Sequence, residues 1–128
     1  MRRTVFACSV LVGTGLSAAA APSISVADAA GFCEAGFPPA AGPAPSAARR
    51  MTCIAIIDGV IGTVAQLAAI AAPPSGGSAR GAFCVPPEAD YPTLSQRFLD
   101  FARANPQHRD RAAATMLVAA FAANYPCR

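Results

Sequence analysis

The sequence predicts an all-α fold: a small disulfide-stapled helical domain with a C-terminal antiparallel helical hairpin, preceded by a signal peptide. Three observations predict it. Apolar residues recur at helical spacing through a long, almost uncharged stretch from about Ala47 to Ala72. A second run of helix signals fills the last third of the chain and is interrupted by one Asn-Pro step. Beyond the N-terminal apolar segment, four cysteines stand far apart, in the pattern of a disulfide framework.

At 128 residues the chain has room for one domain. Arg2 and Arg3 form a positive start, Val5 to Val12 an apolar run, and small residues follow. That order is the anatomy of a cleavable secretory signal. Ala19-Ala20-Ala21 fits the small-x-small cleavage pattern, but Pro22 would follow the cut. Ser25-Val26-Ala27 before Asp28 is the preferred site, with Ala27-Asp28-Ala29 as the neighbouring alternative. The predicted organisation is therefore a signal peptide over 1–27, a Pro/Ala-rich segment over 28–46 and a helical domain over 47–128. An uncleaved anchor is the competing reading of the leader. Arg2-Arg3 alone is weak evidence for a twin-arginine signal, and Cys8 lies too early for a lipoprotein site.

Pro38, Pro39, Pro43 and Pro45 break any long helix in the 28–46 segment, leaving a short helical turn around Ala29 to Ala35. Ser46 is the expected N-cap of the long helix, and Pro73-Pro74 its stop. Cys53, Ile57, Val60, Val64, Leu67 and Ala71 form its apolar face. A second stripe, Ala55, Gly59 and Gly62, is small enough to let another backbone approach closely. This stretch also invites a membrane reading, but Asp58 and Gln66 count against insertion.

Pro73 to Pro92 reads as a loop, flexible at Ser75-Gly76-Gly77-Ser78. Thr93 and Gln96 form a Thr-x-x-Gln capping box opening the next helix, which runs to about Ala104 with Leu94, Phe98 and Phe101 on one side. Asn105 as N-cap and Pro106 at the first helical position open the last helix. It continues to about Asn124 and buries Ala113, Met116, Leu117, Ala120 and Phe121, with Pro126 as its stop. So short a turn makes the two helices a hairpin or a sharply angled pair. In the hairpin, Cys84 falls beside Cys127, and by the same logic Cys33 reaches Cys53. Of the three pairings open to four cysteines, Cys33–Cys53 with Cys84–Cys127 is favoured.

Composition narrows the function classes. The whole chain carries a formal charge of +3 with ten arginines and no lysine. Removing Arg2 and Arg3 leaves eight arginines against seven acids, which is no nucleic-acid footprint. Zinc sites bring cysteines as close pairs, and here every spacing is twenty or more. No metal or cofactor is expected. His108 is the one histidine, and an exposed helix start is its expected role. Glu88 and Asp90 read as surface charge rather than an acid/base pair, and Asp100 as a partner of Arg103. Asp58, set among apolar residues, is the least explained acid. No catalytic residue is assigned, and the aromatic residues fall where a core is needed.

The ordered motifs resemble the Rap1a/Tai family of periplasmic immunity proteins. The counterparts are Cys33, the run Cys53 to Gly59, Cys84-Val85-Pro86, then Gln96, Phe98 and Leu99, Asn105-Pro106 with Arg109, and Tyr125-Pro126-Cys127. The resemblance covers about Met51 to Arg128. Ile56 stands where the family usually has an aromatic, and the stretch before Met51 is proline-rich where the family tends to have a regular first helix. The resemblance implies an all-helical, non-enzymatic binding protein in the periplasm or secreted. Its relatives block peptidoglycan amidases delivered by type VI secretion, and dimers are common among them. Gly59, Pro86, Thr93, Gln96, Asn105, Pro106 and Pro126 are expected to be structural, and no partner contact carries over. A small periplasmic stress or chaperone-like protein is the alternative, and a small hydrolase using His108 a third.

Overall fold

The structure is a computed structural model, and it describes residues 23–72 and 81–128. The leader before residue 23 and the Ser75-Gly76-Gly77-Ser78 loop lie outside those residues. Four α-helices follow one another: α1 (Val26–Gly36), α2 (Ala47–Ile70), α3 (Tyr91–Ala104) and α4 (Ala113–Asn124). A single 3-10 turn, Pro106–His108, stands between α3 and α4. The expected all-α class holds, and the described residues contain no strand beyond one isolated bridge between Ser25 and Ala112.

The N-terminal segment is more regular than its prolines suggest. All four prolines fall after Gly36, so they terminate α1 rather than break it. Ser25 caps α1, its Oγ accepting from the Asp28 N–H at 3.1 Å, and Asp28 places negative charge in the first turn. Val26, Ala29, Cys33 and Gly36 form one buried stripe at helical spacing. The stretch before Met51, expected to hold only a short helical turn, therefore contains a regular first helix.

The chain turns at Pro39–Gly42, where the Gly42 N–H donates to the Pro39 carbonyl at 2.7 Å. Ser46 then donates from its backbone to the Ala35 carbonyl and caps α2 through its side chain, accepting from Arg49 N–H. The end of α1 and the start of α2 thus meet. Gly36 is the contact point: a Cβ there would stand 2.6 Å from Arg50 Cα. Arg50 donates its Nε–H to the Gly36 carbonyl and lies over the Phe37 ring at 5.4 Å. Cys33 and Cys53 are bonded across the same junction.

The second pair is α3 against α4, with α1 also packed on α3, so the two hairpins share one core. Phe98, Phe121, Ile57 and Leu117 are its largest fully buried side chains. Phe83 closes the far side, packing edge-on against Phe121 at 5.4 Å between ring centroids. Directly after it Cys84 donates its N–H to the Tyr125 carbonyl and is bonded to Cys127. The second disulfide therefore closes the hairpin from both ends. Ser95, the buried polar residue of the core, sits with its Oγ 3.8 Å from Cys53 Sγ.

Two helix starts differ from the sequence reading. Thr93 is not the cap of α3; Asp90 is, its Oδ1 accepting from Thr93 N–H at 2.9 Å, with Pro92 in the first turn. Asp is at least as good a cap as Thr, and Pro suits the first turn, so α3 begins earlier. Gln96 accordingly has no cap to reach and donates to Asp100 at 2.7 Å instead. Asn105 likewise is not the N-cap of the last α-helix. It ends α3, its Nδ2 donating to the Phe101 carbonyl, and Pro106 opens the 3-10 turn. α4 begins only at Ala113, where its N–H is taken by the Ile24 carbonyl. A tertiary partner there replaces a side-chain cap.

Candidate interaction surface

Helix lengths create the main surface feature. At about 1.5 Å per residue, α2 is roughly 36 Å long and α1, α3 and α4 about 16–21 Å. None of the other described helices can cover all of α2. Only Cys53 and Ile57 of its expected apolar face are fully buried; Val60 and Val64 are half-buried, while Leu67 is 60% exposed and Ala71 is exposed. Ile70 is 80% exposed. The other stripe also differs from expectation. Gly59 and Gly62 have nothing within 4 Å of where a Cβ would stand, so among the described residues no backbone approaches there.

The uncovered face is concave. Ile24, Ala55, Ile56, Gly59, Val60, Thr63, Val64 and Leu67 line a groove closed on its other side by Ala114 and Val118 of α4, with a volume of about 460 Å³. Among the described residues, no charged side chain lines it. Contiguous exposed apolar surface of this kind marks interaction sites on soluble domains. By length and composition α2 could also cross a membrane. Against that, Cys53 and Ile57 belong to the protein core. Asp58, the unexplained acid, accepts a hydrogen bond from Tyr91 Oη of α3 at 2.7 Å.

Several titratable groups have structural partners. The hydrogen bond to Asp58, with lesser help from desolvation and from the Asp58 charge, raises the Tyr91 phenol above its ordinary value. Hydrogen bonds from the Thr93 side chain and backbone lower the Asp90 carboxyl. Glu88 and Asp90 do not act as a pair: Asp90 is spent on the cap and Glu88 is exposed in the preceding turn. His108 sits half-buried in the 3-10 turn, its backbone N–H donating to Asn105. Asp100 pairs with Arg103 at 3.0 Å, and Arg103 also reaches Glu34 of α1 at 3.6 Å. Among the described residues, no three His, Cys, Asp or Glu side chains converge as a metal set.

The expected structural motif residues are distributed around the fold rather than gathered in one place. Pro86 bends the segment after Cys84, its carbonyl accepting from Ala89 N–H at 3.0 Å. Pro126 follows the α4 C-cap Tyr125. Gly59 alone lies on the groove. Ile24 and Val118, which complete that groove, carried no sequence signal. Gly36 carried one, a small residue directly before a proline-rich stop.

The described residues form a small, doubly stapled helical domain with an open apolar groove, a surface of the kind that marks interaction sites. A model of the Rap1a immunity protein family matches residues 25–127, and the chain belongs to that family. No curated protein and no solved structure matched it. Membership gives the chain an immunity role against a secreted effector and hence a protein partner; such proteins are generally non-enzymatic and typically periplasmic. The match begins well before Met51, so the family framework includes α1.

Proposed function

We propose that this protein is exported to the periplasm, binds a peptidoglycan amidase effector of type VI secretion, and inhibits it by occupying or covering its cleft. The observation that carries the reading is the family match over residues 25–127. The signal-like leader, with Arg2, Arg3 and the Val5–Val12 run, supports export. The uncharged α2–α4 groove supports a protein partner. Inhibition by binding needs no catalytic group, only a complementary surface whose core excludes water.

The test is direct. The purified mature protein is mixed with candidate cell-wall amidases from the same genome, and binding and peptidoglycan hydrolysis are measured. Stoichiometric inhibition of one enzyme supports the proposal; no binding to any of them removes the amidase assignment. Gly59→Arg places a bulky charge in the groove at a helical position with open space. It should abolish binding while leaving the melting temperature unchanged or higher. A second copy of this chain is the competing occupant of the groove, and sedimentation equilibrium without the amidase separates the two. A chaperone-like role would use the same exposed apolar face of α2, and it predicts protection of unrelated acid-stressed proteins from aggregation.

A further inference from the structure

The segment Ile24–Ala27 bears on where the leader ends. Val26 is 3% exposed and belongs to the core. Its N–H donates to the Arg111 carbonyl at 2.9 Å, and the Ala27 N–H donates to the Arg109 carbonyl at 2.9 Å. In return the Ile24 carbonyl accepts the first N–H of α4, from Ala113. Ser25 caps α1 and also donates its hydroxyl to Asp28 Oδ2 at 2.7 Å. A chain cut after Ala27 would lose the α1 cap, a core side chain and the partner of the α4 start. It would also place a new ammonium against the positive end of the α1 dipole. Cutting after Ala29 removes more. Independently, the family match starts at residue 25, inside the stretch those cuts would remove.

We propose that the leader is removed at the alanine cluster, after Ala19 or after Ala20, so that the mature chain keeps Ile24–Ala27 as a structural part of the domain. Ser17-Ala18-Ala19 and Ala18-Ala19-Ala20 both satisfy the small-x-small pattern. A cut after Ala21 would have to break the tertiary amide bond to Pro22. The step is hydrolysis by a signal peptidase. Water supplies hydroxyl to the carbonyl of Ala19 or Ala20, the C–N bond breaks, and the nitrogen leaves as the α-amine of the next alanine, taking a proton. The proposal rests on export.

The experiment is expression of the full chain in a secreting Gram-negative host, followed by intact-mass and N-terminal sequence analysis of the periplasmic fraction. The expected first residue is Ala20 or Ala21. Any other first residue, Asp28 and Ala30 included, overturns the site while leaving export standing. Protein found only in the cytoplasm with the leader intact overturns both. Two variants sharpen the result. Ala27→Glu removes the small residue that the later site needs and should be processed as before; accumulation of its precursor counts against the proposal. Ala19→Arg combined with Ala20→Arg should accumulate as precursor, and unchanged processing of that pair overturns the assignment.

Discussion

Two residues show how much of this domain depends on single contacts. Gly36 stands where α1 meets the first turn of α2, with no room for a Cβ against Arg50. Gly36→Ala should destabilise by about 1–3 kcal/mol through overpacking, measured by urea unfolding. Gly62 is the opposite case, an exposed helical glycine with open space around it. Gly62→Ala should stabilise by roughly 0.5–1 kcal/mol in the same assay. Tyr91 adds a pH dependence. Its pKa is raised in the fold, so the stabilisation from the Asp58 bond is full below the ordinary phenol value of 10.0. It is lost as pH rises through the higher folded value. Thermal melts from pH 9 upward should show this loss in the wild type and lack it in Tyr91→Phe.

At the scale of elements, the sequence located helices well and their first residues poorly. Ser46 opened α2 correctly because it was the only cap signal nearby, while the Pro73-Pro74 stop lies outside the described residues. Before α3 two cap signals competed. Thr93 with Gln96 has the form of a capping box, but Asp90 lies one turn earlier with Pro92 placed for a first turn. Asp90→Ala should therefore lower the melting temperature more than Thr93→Ala does. The 3-10 and turn segment after Asn105 had a different cause. The α4 start is satisfied by Ile24, distant in sequence, and no local pattern announces such a partner. The disulfides were more legible: Cys84 and Cys127 flank the α3–α4 hairpin, and Cys33 and Cys53 lie in two helices that meet end to start. They close loops with sequence separations of 20 and 43. By the chain-entropy account, their removal should cost about 3 and about 4 kcal/mol respectively. Unfolding of the Cys33→Ala/Cys53→Ala and Cys84→Ala/Cys127→Ala double variants checks both the values and their order.

At the scale of the whole molecule, the family-matched part, residues 25–127, is small and includes a 24-residue helix that its neighbours cover only in part. A domain of this size is marginal from burial alone, which is why its two hairpins are each stapled. The sequence by itself determined the all-α class, the order of its helices, the favoured cysteine pairing and the resemblance to an immunity family. All of these rest on local periodicity, caps, stops and motif order, which short stretches of chain carry. The tertiary structure decided the rest. The alternation along α2 could not tell which apolar residues would find neighbours, because coverage depends on the lengths of the other helices. Leu67 and Val60 therefore share a face in sequence yet differ in exposure. The same holds at the N-terminus. Ser25-Val26-Ala27 has the composition of a cleavage site, and only the packed fold reveals Val26 in the core and Ile24 holding the start of α4. Small residues suit a peptidase and a close helix junction equally well, and the contacts around them are what separate the two.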